Sequence, residues 1–257
     1  MKRAAIGIAV LLFFGAARLP FEIHLSRLQQ AAGFRTTNLN LSLREQVGQM
    51  GFVAALSGFR SLVAAVLWIE AHSAWQKVEW GRMAGLFQTV TTLQPKSILY
   101  WDISAWHMAW NASIAALEDK SQPSKVLRER AERQYWDRGK KFYEDGLRSN
   151  PDSADLWEKL AILERDKYED HAAAAEAFAT AASKPGARAY VRRMGAYELA
   201  QIPGEERKAY DELRAIYDEG PAQRVPRVIS DLKKLEEKLG IPADQRIKDT
   251  AARQPAP

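Results

Sequence analysis

The sequence predicts an all-α chain, a run of helical hairpins behind an N-terminal apolar segment. Three observations lead there. Gly and Pro are scarce, 15 and 11 in 257 residues, and sit mostly between stretches of helical apolar periodicity, a punctuation that suits helices better than a many-turned β-sandwich. Prolines and tryptophans recur at fixed offsets along the chain. Finally, the residues are 47% hydrophobic, with 8 Trp, 8 Tyr and 9 Phe, enough for one core or a short solenoid and too aromatic for a disordered chain.

The net charge is +5, with Lys and Arg interleaved among Asp and Glu. That pattern reads as a solvated mixed surface and not as the one-sided basic face of a nucleic-acid binder. The absence of cysteine excludes disulfides, thiolate metal sites, a Cys nucleophile and a lipidated Cys.

At the N-terminus, Met1-Lys2-Arg3 precede the apolar run Ala4 to Ala17, closed by Arg18. A basic start followed by a short apolar segment reads as an export signal. Two outcomes stay open. Residues 1–21 remain as a single-pass transmembrane anchor, extended by Leu19, Pro20 and Phe21, or Gly15 and Ala17 mark a cleavage site that yields a secreted protein. In both, Lys2 and Arg3 stay cytoplasmic and the bulk of the chain is extracytoplasmic, periplasmic in a bacterial envelope. Residues 22–61 read as a linker with N-terminal helices. The run Met50 to Ile69 is about one bilayer thick but carries Arg60 at its middle, which costs roughly 2.5–3.5 kcal/mol on insertion scales. Ser57, Gly58 and Ser61 weaken it further. It reads as one or two buried helices, with a second membrane span or an interfacial helix as the alternative. A buried Arg60 would need an acid, and Glu70 is the candidate by residue type.

Pro95, Pro151 and Pro185 each end an apolar-periodic stretch. Trp101 lies six residues after Pro95 and Trp157 six after Pro151, while Phe87 and Tyr143 each lie eight before those prolines. Pro151 to Pro185 is 34 residues, and Pro95 to Pro151 is 56, one period of 34 with an insertion of 22. A period of 34 with Trp early, an aromatic late and Pro at the end is the tetratricopeptide pattern.

On these residues the chain resembles the tetratricopeptide-repeat (TPR) superfamily over roughly residues 62–220. The unit from Ala154 to Pro185 carries Trp157, Leu160, Ala161, Ala173 and Pro185 at the family's Trp, Leu, Gly, Ala and Pro positions. It departs at Glu164, where the family has Tyr, and at Ala177, where the family has an aromatic that here comes one residue late as Phe178. The resemblance implies a short right-handed solenoid of two-helix units, with small residues where helices A and B approach and Pro ending helix B.

Unit one spans about 62–95, with Trp68 and Trp75 on helix A and Leu86, Phe87 and Leu93 on helix B. Unit two begins at Ser97, carries Trp101, Trp106 and Trp110, and has an enlarged loop at 119–124 before a long charged helix over 124–148. Unit four, 187–220, carries a seam of Tyr190, Tyr197, Tyr210 and Tyr217. Residues 226–240 form a capping helix, opened by Pro226 and closed by Gly240, with Val228, Leu232, Leu235 and Leu239 on one stripe. The tail 243–257 is too polar to pack and reads as disordered.

No phosphate loop, GxSxG, HExxH or calcium loop occurs. The histidines His24, His72, His107 and His171 have no second His at helical spacing, so neither a metal nor a cofactor is expected. In the TPR resemblance helix A lines the concave face, which makes Trp106, His107, Trp110 and His72 the candidate partner-binding residues. The expected function is therefore a membrane-anchored extracytoplasmic scaffold, not an enzyme, that binds protein partners in a cell-envelope complex. The alternatives are an integral subunit of a membrane transport or secretion assembly, with 50–69 as its second membrane element, and an enzyme with an unrecognised site.

Overall fold

The structure is a computed structural model that describes residues 58–248. Among them every regular element is a helix and none is a strand, so the all-α class holds. The chain divides into two compact units after Tyr100. The N-terminal segment 1–21 and most of the linker lie outside the described residues.

The first unit is a hairpin of α1 (Arg60–Gln76) and α2 (Trp80–Leu93). The buried face of α1 is made of Ala64, Ala71 and Ala74. Three small side chains let α2 come close and bury Met83, Ala84, Phe87 and Val90. Trp68 covers one end of this seam, its ring 5.2 Å from Phe87 and 4.8 Å from Tyr100. The turn closes when Val78 enters the left-handed region at φ 61°. The Val78 and Glu79 amides then donate back to the Trp75 and Ala74 carbonyls, at 2.9 Å each.

Two expectations about this stretch change. Arg60 is not a buried mid-helix charge. Gly58, at φ 75°, precedes the helix, so Arg60 falls in its first turn and is exposed. Glu70 pairs instead with Arg82 on α2. Of the run 50–69 only the part from Gly58 is described, and no helix among the described residues is long and apolar enough to cross a membrane.

The elements from 98 onward alternate regularly. α3 (Ile98–Trp106) runs through a π-helical segment, His107–Ala112, into α4 (Ser113–Leu117). After the loop, α5 spans Lys125–Ser149. α6 (Ala154–Leu163) ends in a second π-helical segment, Glu164–Tyr168. Then come α7 (His171–Ser183), α8 (Ala189–Leu199), α9 (Glu206–Asp218), a 3₁₀ turn at Pro221–Gln223 and α10 (Pro226–Lys238). Side-chain oxygens cap three starts: Ser124 accepts from Leu127, Ser153 from Leu156 and Asp170 from Ala173.

Packing in the second unit depends on small residues at the crossings. A Cβ on Gly139 of α5 would sit 2.6 Å from the Ala109 Cβ, and one on Gly146 would sit 2.8 Å from the Trp101 Cγ. Trp101 is accordingly buried at 4% exposure, with Phe142 6.3 Å away. The alanine-rich α7 packs between α6 and α8 around Phe178, which is fully buried with Ala161, Ala177, Ala181 and Val191. Trp157 is half-buried against this cluster, and its Nε1–H donates to the Pro151 carbonyl at 3.2 Å. At the C-terminal end Tyr197, Tyr210 and Tyr217 are buried with Leu213, Ile216, Val228, Leu232 and Leu235. Tyr190, the fourth tyrosine of the seam, stays at the edge and donates to Glu158 at 2.6 Å. Packing contacts run six residues into the segment read as tail: Ile247 is buried and Tyr217 donates to the Lys248 carbonyl at 2.8 Å. Residues 249–257 lie outside the described residues.

Several hydrogen bonds between elements share a separation of 31–33 residues, while others span 20, 27 or 41. Lys184 to Asp152 and Tyr190 to Glu158 span 32 residues, Arg188 to Asp155 spans 33, Tyr168 to Asp137 spans 31, and Lys238 to Glu206 spans 32. Buried glutamates take part. Glu158 accepts from Arg188 and Tyr190, Glu164 pairs with Lys140 at 2.7 Å, and Glu198 meets the His171 Nδ1 at 2.8 Å. Each joins two different elements, so the buried carboxyl groups find hydrogen-bond partners as desolvation requires.

Candidate partner-binding site

The residues singled out in the sequence separate into two places. His72 lies on α1 in the first unit, exposed, with its ring 5.1 Å from Trp75. Trp106, His107 and Trp110 lie in the second unit, at the junction of α3 with its π-helical segment.

That segment decides how the three side chains point. A π turn widens the helix and rotates the residues after it relative to an α-helical register. Local side-chain bonds accompany it: the Ser113 hydroxyl donates to the Ala109 carbonyl at 2.6 Å, and Asn111 Nδ2 meets His107 Nδ1 at 2.9 Å. Trp106 is 44% exposed, its ring edge-on to His107 at 5.2 Å, while His107 and Trp110 are half-buried. Trp101, by contrast, is held inward against Gly146.

Trp110 is one wall of a larger aromatic and cationic cluster that spacing did not reveal. Lys167 Nζ lies 5.5 Å from the Trp110 ring centroid and 5.7 Å from that of Trp136. Arg133 stands 5.6 Å from the Trp136 ring and 5.3 Å from the Tyr168 ring, and Lys140 is 5.1 Å from Tyr168. Trp136 and Tyr168 meet edge to face at 5.9 Å. Arg133 and Lys167 thus lie over ring faces, where the ring quadrupole attracts a cation. Burial holds the Lys167 ammonium below its usual range, opposed by Glu132 and Asp166, and burial raises the Glu132 carboxyl. Burial first, then the bond to Asp137 at 2.7 Å, pushes the Tyr168 phenol upward. The Trp136 Nε1–H is buried and finds no acceptor among the described residues.

The surface this makes is apolar in its faces and polar at its edges, with Trp106 and His107 at one end. It suits contact with a protein segment. Among the described residues no group of three His, Asp or Glu side chains is placed to hold a metal ion. A separate shallow cavity of about 170 Å³ lies among α7, α8 and α9, lined by Ala182, Ala187, Arg188, Arg192 and Ile216. It is smaller than the ~300 Å³ of ordinary small-molecule pockets, and its arginines are already paired with Glu158, Glu212 and Glu219.

Comparisons of the chain with protein families, with known proteins and with solved structures find no match.

Proposed function

We propose that the chain is a membrane-anchored, TPR-like repeat scaffold whose extracytoplasmic part holds a partner protein in a cell-envelope complex and catalyses no reaction. The observation that carries the repeat reading is the recurrence of inter-helix hydrogen bonds at 31–33 residues from Asp137 to Lys238. A stack of similar hairpins produces such a constant offset, because each side chain meets its counterpart one unit on. The same offset supports repeat packing from α5 to α10, with α10 as the cap, and the spacing of Pro95, Pro151 and Pro185 extends the proposed right-handed repeats over 62–220. The Trp106–His107–Trp110 edge, continued by Trp136 and Tyr168, supports protein binding over chemistry. The basic Lys2-Arg3 and the apolar run behind them support the anchor and the periplasmic placement.

The test is a photo-activatable crosslinker placed at Trp106 or His107 in the intact membrane, with an equivalent probe at exposed Lys234 of α10 as reference. Capture of one defined protein from 106 and 107 and not from 234 is the expected result. No capture at any position, or equal capture at all three, sinks the reading of this edge as the binding surface.

A further inference from the structure

α1 carries apolar residues on two of its faces. Its inner face is the alanine seam against α2. Its outer face carries Phe59 just before the helix, then Leu62, Val66 and Ile69, at 44, 59, 54 and 69% exposure. The spacing of 3, 4 and 3 residues places them on one stripe. The first half of α1 is thus apolar on two faces, whereas its second half carries Glu70, His72, Ser73 and Gln76, and α2 covers only the inner face; an apolar stripe beside polar positions is the pattern of a helix lying at an interface. We infer that this stripe seats α1 flat on an anionic lipid bilayer, as an interfacial helix and not as a span.

Three features of the unit select lipid over a protein cover. The stripe offers on the order of a few hundred Å², well short of the ~800 Å² per partner of a stable protein interface, so neither a second copy nor a separate protein gains enough from it. Charge is complementary: the described part of the unit carries four cationic side chains, Arg60, Lys77, Arg82 and Lys96, against two acidic ones, Glu70 and Glu79. The tether supplies the remainder. Residue 21 ends the anchor of the proposed function, on which this inference rests, and only 38 residues separate it from Arg60. An attachment that short keeps the bilayer at high effective concentration, so a weak apolar contact suffices.

The chain has no cysteine, so single cysteines in the full-length protein accept a polarity-sensitive fluorophore. The positions are Leu62→Cys, Val66→Cys and Ile69→Cys on the stripe, Val126→Cys at a 71% exposed site of the second unit, and Val10→Cys in the anchor. The labelled chains are reconstituted into phosphatidylcholine–phosphatidylglycerol vesicles with and without brominated acyl chains. Bromolipid quenching at 62, 66 and 69, several-fold above that at 126, is the expected result. Water-like emission at the stripe overturns the inference, and so does blue-shifted emission that bromolipid does not quench, which marks a protein cover. Quenching at 126 equal to that at the stripe also overturns it. Position 10 separates the two ideas: quenching at 10 with none at the stripe keeps the anchor and removes the seat, and quenching at the stripe with none at 10 does the reverse.

Discussion

Val78 stands in a backbone conformation that a β-branched side chain rarely tolerates, at φ 61° in the turn between α1 and α2. Its amide closes the end of α1, a place where glycine is the usual residue. Val78→Gly removes the strain without touching a packed side chain, since Val78 is 60% exposed. The substitution is expected to raise stability by about 1 kcal/mol, partly offset by the extra backbone freedom of glycine, read as a shift in denaturant midpoint. Trp101 and Trp106 give the opposite contrast. Trp101 is 4% exposed and fitted to Gly146, whereas Trp106 is 44% exposed. Trp101→Ala is expected to cost ~3–5 kcal/mol and Trp106→Ala within about 0.5 kcal/mol, with urea melts deciding. Equal losses would place Trp106 in the core. The offset of Trp101 from Pro95 marked it as a position of the same pattern as Trp157, and its inward packing shows in the close fit to Gly146. Trp136, Lys167 and Tyr168 were not readable, because they meet only where α5 crosses the end of α6, and no sequence period reports a crossing. Phe178 shows the middle case. It misses the family's aromatic position by one residue, yet it is the side chain that fills the gap between α7 and its neighbours.

Among the elements, the all-helical character and the start of α10 at Pro226 followed from pattern, whereas the Ser153 cap of α6 did not. The two π-helical segments did not, since a widened turn depends on side-chain bonds such as Ser113 to Ala109 that compete locally with the α-helical ladder. The start of α1 at Arg60 lies two residues from the start of unit one read from the pattern, but the exposed place of Arg60 did not follow from composition. Composition counts Arg60 as the middle of an apolar run, whereas Gly58 ends the run's continuity and puts Arg60 in a first turn. The contact between α9 and α10 gives a pH test. Glu206 at the start of α9 accepts from Lys238 at 2.6 Å, and this bond, followed by the amides of Glu206 and Gly204, lowers its carboxyl from 4.5 to about 2. A carboxyl with a folded pKa below its unfolded one stabilises the fold above the unfolded value, and that stabilisation fades as pH falls from about 4.5 toward 2. The carboxyl carbon of Glu206, followed by NMR, is expected to titrate near 2, and in Lys238→Met to move back toward 4.5. An unshifted titration in the parent chain would show that the pair is not formed in solution. The site is exposed, so high salt should weaken the shift.

Stacked hairpins place their energy at the seams, and a seam needs both of its sides. In the second unit the C-terminal seam draws on three helices and the segment after them. Tyr197, Tyr210, Leu213, Ile216 and Tyr217 from α8 and α9 are buried by Val228, Leu232 and Leu235 of α10 and by Ile241 and Ile247 beyond it. Glu236 fixes the final turn by accepting from the Ile247 amide at 2.8 Å, and the Tyr217 hydroxyl reaches the Lys248 carbonyl. These contacts are why packing continues to Lys248, although composition alone marks everything after 242 as tail: Ile247 and the buried Glu236 carboxylate hold a six-residue segment of which four residues are polar. Two truncations should therefore differ sharply. Ending the chain at Lys248 removes no contact in the described structure, and it is expected to leave the far-UV helical signal per residue and the unfolding midpoint unchanged. Ending it at Gly220 strips the apolar faces of Leu213, Ile216 and Tyr217. Each such side chain is worth roughly 1.5–3 kcal/mol of burial, a combined loss comparable to the ~5–15 kcal/mol net stability of a domain. That shorter chain is expected to lose helix well beyond the removed residues and to aggregate, because an uncapped stack presents its open end to other copies. Light scattering and circular dichroism of the two truncations decide it. If the chain ending at Gly220 stays monomeric and keeps the cooperative transition of the longer one, α10 is an appendage and the stack ends at α9.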